Sequence, residues 1–423
     1  MKKEKQRILI ACLFFVVFSG TIFIVSNFLN SSSKKHSKAI LSLALREGSH
    51  ADAIMKFLPE FEEKHNISCT VRQFSEKNLR DEIISDVVTN SGLYDLCMID
   101  GSWSAEFIAN NLLSNLSEYG YELDDDIISE TKSICYDNSN LYLVPYYGNV
   151  SVLLYNKLIV REAGYQDENI GSLEDMLKIC QEAKKRHNLG FMYRCDTENN
   201  IVVDFLPILL SYNAWVLDKD NNPTVDTPEW HKAMEMYLKL IETGRAASKK
   251  DLVDAISNKT AAMGIAWPGW YTPTRNSSID YIALKGKVKN SSPQYNATIY
   301  GIWTLGIPSC SQNKKYAVEL LKFIMDKENQ KKSVLIGGIP CRYSSLTDPE
   351  VLRIFPQYDA VRNALETGVY RPQIKEWSEF YSILGKEMRL IINGKKTIDA
   401  GLADAQTKLE ELMNSTRTSP LQE

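Results

Sequence analysis

The 423-residue chain is poor in the groups from which catalytic and metal centres are built. Its five histidines, at 36, 50, 65, 187 and 231, stand apart with no pair at metal-ligand spacing, and surface or capping roles are expected for each. There is no Gly-x-Ser-x-Gly elbow, no phosphate-cradling glycine loop and no dinucleotide fingerprint, so no cofactor is expected. The eight cysteines include no Cys-x-x-Cys pair. Cys97 and Cys180 read as small buried hydrophobes, and the irregular spacing argues against a disulfide framework. With a net charge of -4 and both signs interspersed, no basic stripe is available for a phosphate backbone, which excludes nucleic acid as an expected partner. Asp124-Asp125-Asp126 reads as a solvated acidic loop, not as a general acid and base.

One long apolar run is present, from Ile8 to Val25, preceded by Lys2, Lys3, Lys5 and Arg7. Its length can span a bilayer, and the cationic flank keeps Met1 inside and sends the rest of the chain out. Residues 1–29 are therefore expected to be a signal or membrane anchor, cleaved or retained. Leu9-Ile10-Ala11-Cys12 spells a lipoprotein-like box, but the apolar region follows the cysteine instead of preceding it. Residues 30–38 form a polar tether without periodicity.

The remainder is too long for one compact core and suits two lobes. Strand-like and helix-like patterns alternate, which implies α/β lobes with largely parallel sheets. Ala39 to Leu45, then Ile54, Phe57, Leu58 and Phe61 at helical spacing, then Ile67 to Arg72, predict a β-α-β unit. Ser172 with Asp175 three residues later predicts a capped helix whose apolar face is Leu173, Met176, Leu177, Cys180 and Ala183. Thr227-Pro228-Glu229 predicts another, burying Trp230, Ala233, Met234, Tyr237, Leu238 and Ile241 as core. From Leu141 to Lys157 an apolar path breaks at Pro145 and Gly148 and resumes, as expected where a chain crosses from one lobe to another.

Several segments, in order, resemble the bacterial extracellular solute-binding proteins of ABC importers, the maltose-binding-like family 1. They are the crossing itself; Tyr94-Asp95-Leu96 to Asp100 with Trp103 and Asn111 to Leu116; Ala261 to Trp270; Tyr300 to Pro308 with Lys315 to Ile324; Gly337 to Pro340 with Arg342; and Gly394 to Gln406. The resemblance implies a two-lobed periplasmic-binding-protein fold of type II, with an interlobe cleft and a three-segment hinge. Crossings are expected near Tyr147 to Val152, Ile282 to Lys285 and Gly338 to Arg342. These divide the body into lobe 1 (39–148 and 284–338) and lobe 2 (149–283 and 339–423).

The resemblance further implies a non-enzymatic protein outside the cytoplasmic membrane. It would bind a carbohydrate, deliver it to the transmembrane subunits of an ABC permease, touch the membrane through its N-terminal segment and act as a monomer. Sugars offer a C–H face for stacking and a rim of hydroxyls, so a site needs flat rings and directional polar groups. On the family's pattern Trp103, Trp267, Trp270 and Trp303 are the candidate rings, with Tyr147, Asn149, Asp100 and Arg342 at the crossings and strand ends. Trp215 and Tyr381 fall where the family has second-lobe contacts. Three alternatives stand beside this reading: a membrane-anchored sugar sensor, a ferric-ion protein using Tyr146-Tyr147, and a glycoside hydrolase with two facing carboxylates.

Overall fold

The computed structural model describes residues 39–166, 170, 172–271, 277–284 and 297–418. The expected anchor (1–29), the tether (30–38) and Cys12 lie outside the described residues. The elements used below are, in chain order, β1 (Ala39–Arg46), α1 (Ser49–His65), β2 (Ile67–Phe74), α2 (Glu76–Val88), β3 (Leu96–Asp100), β4 (Leu143–Tyr147), β5 (Val152–Asn156) and α3 (Leu173–His187). They continue with β6 (Leu189–Tyr193), α4 (Glu198–Ser211), α5 (Pro228–Ile241), β7 (Arg245–Ala246), α6 (Lys249–Ser257), β8 (Ala261–Ala266), β9 (Ile279–Ile282), β10 (Trp303–Gly306), α7 (Lys314–Ile324), α8 (Tyr358–Thr367), α9 (Trp377–Ile392) and α10 (Ile398–Thr418).

Local sequence accounts for several of these directly. The expected β-α-β unit forms: β1 and β2 run parallel in register from Ala39↔Ile67 to Arg46↔Phe74, and α1 buries Ile54, Phe57, Leu58 and Phe61. Ser172 caps α3 by accepting from the Asp175 amide at 3.1 Å. Thr227 caps α5, with Pro228 in its first turn, where the missing N–H costs nothing. Trp230 on that helix is fully buried core and donates its indole N–H to the Trp215 carbonyl at 2.8 Å.

The strands form two five-stranded sheets, ordered β2-β1-β3-β10-β4 and β9-β5-β8-β6-β7. Both are mixed, which corrects the expectation of largely parallel sheets. In the first, β1 is parallel to β2 and β3, while β10 is antiparallel to β3 and β4. In the second, β5 is antiparallel to β8 and β9, and β6 is parallel to β8 and β7. The antiparallel pairs involve strands that enter a sheet from the other one, so they owe nothing to a β-α-β crossover. Pro145 does not break its strand. It lies within β4, at the sheet edge, where a residue without an N–H is tolerated, and the register shifts between Trp303 and Thr304 opposite it. Only the stretch after Tyr147 interrupts the path.

Three backbone segments meet between the sheets. Residues 148–151 join β4 to β5, and residues 297–302 precede β10. Gly301 N donates to Asn149 O (2.9 Å) and Ser151 N to Ile299 O (2.8 Å). A third segment lies alongside: Tyr300 N donates to Val369 O and Val369 N to Thr298 O, each at 2.9 Å. The second crossing is thus described at 297–302, whereas Lys285, in its expected range, lies outside the described residues. The third of these segments lies at Val369, and the expected stretch Gly338 to Arg342 also runs beside the first crossing, Gly148 N donating to Ile339 O. Ile339, Cys341, Leu346, Val351, Tyr358, Val361 and Leu365 pack into a core cluster that draws on both sheets, with Val152, Leu154 and Tyr281 of the second among its members. Ile374, Trp377 and Phe380 pack into the other cluster, with Leu153 and Met263 of the second sheet.

Candidate functional site

The strand ends define a place where the two sheets face each other. Arg46 closes β1, Asp100 closes β3 and Tyr147 closes β4, while Trp303 opens the antiparallel β10; Trp303 pairs with both Asp100 and Tyr147. On the opposite side Arg194 follows β6, and Trp267 follows β8 at the head of the Pro268–Trp270 turn. The first turns of α2, α4 and α6 supply Glu76, Asn199 and Lys249. Together with Asn149, Gly301 and Arg371 from the crossing segments, these groups line one cleft between the sheets, of about 830 Å³ including the solvent at its mouth.

Aromatic rings form its walls. Trp303 stacks on His50 with centroids 5.7 Å apart and planes 20° apart, and His50 lies 5.0 Å from Tyr147. Trp267 packs against the backbone of Gly301, where an added Cβ would collide with Cζ3 and lie 3.0 Å from Cε3. The Arg194 guanidinium sits 4.6 Å from the Trp270 ring centroid, and the Lys249 ammonium 5.8 Å from it.

Most polar groups are held by one another. Asp100 accepts from the Ser102 amide (2.8 Å), the Ser102 hydroxyl (2.7 Å) and Arg371. Arg194 donates from Nε to Asp204 Oδ2 (2.8 Å), from Nη2 to Asp204 Oδ1 (2.5 Å) and from Nη1 to Asn200 Oδ1 (2.6 Å). Across the cleft, Asn199 Nδ2 on α4 donates to Glu76 Oε1 on α2 at 3.1 Å. Three buried polar atoms of the lining have no hydrogen-bond partner among the described residues: His50 Nε2, Asn149 Oδ1 and Asn199 Oδ1. Buried polar groups are normally satisfied, so atoms left open in one cleft are positions for a ligand's donors.

The environment also sets charge. Desolvation, reinforced by Arg46 and Lys249, pushes the His50 imidazole down to about 3, so it is neutral at ordinary pH. Desolvation, then the neighbouring Asp100, raises the Glu76 carboxyl above its usual range. Lys249 is lowered by desolvation and by the like charges of Arg46 and Arg194.

Six of the ten residues singled out from sequence line this cleft: Asp100, Tyr147, Asn149, Trp267, Trp270 and Trp303. Four do not. Trp103 is buried behind Trp303, edge-on at 5.5 Å and stacked on Phe107. Trp215 packs on the second core cluster, its carbonyl holding Trp230. Tyr381 packs edge-on against Trp377 at 5.9 Å. Arg342 is 2% exposed and binds Asp124 Oδ2 (2.5 Å), Asp126 Oδ2 (3.1 Å) and the Met325 carbonyl (2.9 Å). The acidic loop is therefore not free in solvent; two of its three carboxylates neutralise a buried guanidinium. His50 departs from its expected surface role too. Sequence reasoning missed the charged lining, Arg46, Glu76, Arg194, Lys249 and Arg371. The available signal was position, since Arg46 and Arg194 sit at strand ends and Glu76 and Lys249 directly follow the capping serines Ser75 and Ser248.

Comparison with known proteins follows this geometry. Residues 47–331 match the family described as bacterial extracellular solute-binding proteins. Among curated relatives, a probable amino-acid ABC transporter periplasmic-binding protein of Sinorhizobium fredii is 23% identical over 86% of this chain and 87% of its own length. An arabinooligosaccharide-binding protein of Bacillus subtilis is 21% identical over 85% and 86% respectively. Among solved structures, maltose-bound MalE3 of T. maritima superposes with a TM-score of 0.79 at 19% identity, covering 88% of this chain and all (100%) of that one. The two sheets are thus the two lobes of the type II binding-protein fold, and the chain belongs to the bacterial extracellular solute-binding protein family.

Proposed function

We propose that this protein captures a carbohydrate between its lobes, outside the cytoplasmic membrane, and delivers it unchanged to the transmembrane subunits of an ABC permease. The observation that carries the reading is the pairing of ring walls with open polar atoms. Trp270 is partly exposed and offers a face for a C–H surface, with Trp267, Trp303 and Tyr147 lining the wall behind it, while His50 Nε2, Asn149 Oδ1 and Asn199 Oδ1 have no hydrogen-bond partner among the described residues. Two of the three relatives above are named for saccharides, which supports the same ligand class. The N-terminal apolar segment supplies the attachment to the membrane, and the chain works as a monomer.

Capture needs motion, and the three hydrogen-bonded crossing segments are the hinge. Rotation about a few torsions there brings α4 toward α2, so that the Asn199–Glu76 bond forms across the closed cleft. The closed shape is what a permease distinguishes from the open one. No bond is broken. The two neighbouring carboxylates of the cleft are unsuited to glycoside hydrolysis, because Asp100 is clamped by Arg371 and Ser102 and has no freedom to act as nucleophile or base. Ferric binding is disfavoured by the same kind of accounting. Tyr146 and Tyr147 donate their hydroxyls to the His50 and Gly337 carbonyls, and burial pushes Tyr147 up to about 12, away from phenolate.

The test is a thermal-shift screen of the whole chain in a sugar-free detergent against mono- and oligosaccharides, amino acids and ferric citrate. A ligand that binds only the folded state raises the melting temperature. A saccharide is expected to do so and to be recovered intact. A shift confined to amino acids or iron, or a consumed glycan, contradicts the proposal.

A further inference from the structure

The charges of the cleft do not cancel pair by pair. Arg371 is matched by Asp100, and Arg194 by Asp204 behind the wall. Arg46 is matched by Glu47 at 3.1 Å on the rim, where water weakens the pair. Glu76 and Lys249 are left without an ion pair among the described residues. They are not equivalent, because Glu76 already takes a hydrogen bond from Asn199 across the cleft, whereas the Lys249 ammonium has no hydrogen-bond or ion-pair partner among the described residues. The unpartnered charge of the cleft is therefore the cation at Lys249.

Three features make that position unfavourable for a lone ammonium. Lys249 is the first residue of α6, at the end where the helix dipole repels cations. The like charges of Arg46 and Arg194 both act on it, opposed by Glu47, which is itself paired with Arg46. Its one close cushion is the Trp270 ring, which it shares with Arg194. An anion placed among Lys249, Arg46 and Arg194 relieves the repulsion, and the ring beneath would carry the rest of the same molecule.

Building on the saccharide reading above, we infer that the ligand is an acidic sugar, one bearing a carboxylate such as a uronic acid, whose negative group is seated at Lys249 beside Trp270. Ring stacking and the open amide oxygens hold the neutral part of the molecule; Lys249 selects the charge.

The experiment is isothermal titration of the whole chain, in a sugar-free detergent, with glucuronate, galacturonate and their short oligomers, with the matching neutral hexoses and oligomers, and with a set of amino acids. It is repeated on Lys249→Met and on Lys250→Met, whose ammonium pairs with Asp254 on the outer surface. A uronate probe is expected to bind about tenfold or more tightly than its neutral partner, a preference abolished by Lys249→Met and kept by Lys250→Met. Neutral saccharides binding as tightly as uronates, or a preference that survives Lys249→Met, overturns the inference while leaving the saccharide reading intact. Amino acids binding in a Lys249-dependent way overturns the saccharide reading and keeps a carboxylate seat. Silence from every probe overturns both.

Discussion

Single residues already fix much of what the cleft can do. Gly301 allows the Trp267 ring to lie against the crossing segment, so Gly301→Ala is expected to push the ring out of place. A tenfold or greater loss of ligand affinity should follow, with a stability cost of about 1–3 kcal/mol, read by titration and thermal melting. Arg342→Ala should behave in the opposite way. It leaves Asp124 and Asp126 facing each other without their counter-charge, and both carboxylates are partly exposed, so a loss of about 2 kcal/mol is expected instead of the full buried-pair penalty. Ligand affinity should not change, because Arg342 lies outside the cleft. His50 gives a pH signature. Its folded-state value is depressed, so the stability it supports is present above about pH 6.5 and is lost as pH falls toward about 3. His50→Gln should flatten that part of the melting-temperature profile, and an unchanged slope would contradict the neutral imidazole. Trp267, Trp270 and Trp303 were legible as candidates because tryptophans beside apolar strands stand out, but Trp103 after β3 carries the same mark and is buried behind Trp303. The charged lining was not, because a lysine or glutamate in a first helical turn is ordinary in sequence, and only the meeting of two lobes turns Lys249 and Glu76 toward one space.

At the scale of elements, helix starts were the most readable feature. Ser172 and Thr227 cap where their spacing predicts, since a side-chain oxygen that satisfies an orphan amide needs only local geometry. Thr227→Ala should cost about 1 kcal/mol, visible in chemical denaturation, without altering binding. Strand direction was not legible. Whether β10 runs with or against β3 depends on the route taken through the second lobe, which no local pattern records. The third crossing is hard to place from sequence for a related reason. Gly337 to Pro340 looks like a break, and it does run beside the first crossing through Gly148 N and Ile339 O. The segment at Val369, which pairs with the second crossing, carries a similar mark, with Gly368 before it and Pro372 shortly after, so local sequence alone does not choose between the two breaks.

For the molecule as a whole, two lobes, three joining segments and one lined cleft are, on the proposed function, a device that turns binding into a change of shape. The family and its fold were legible from the order of weak motifs, none of which suffices alone. The ligand was less so, because the rings specify a flat apolar face while the charge that narrows the choice comes from residues far apart in sequence. The most direct test of the central claim is a titration of the whole chain with the saccharide that stabilises it best, compared with the same titration of Trp270→Ala. If the sugar is held between the lobes, Trp270→Ala should weaken binding by about tenfold or more while the ligand-free melting temperature stays nearly unchanged, since the ring is only partly buried. Equal affinity in the two proteins would mean that the sugar binds elsewhere, and would contradict the account.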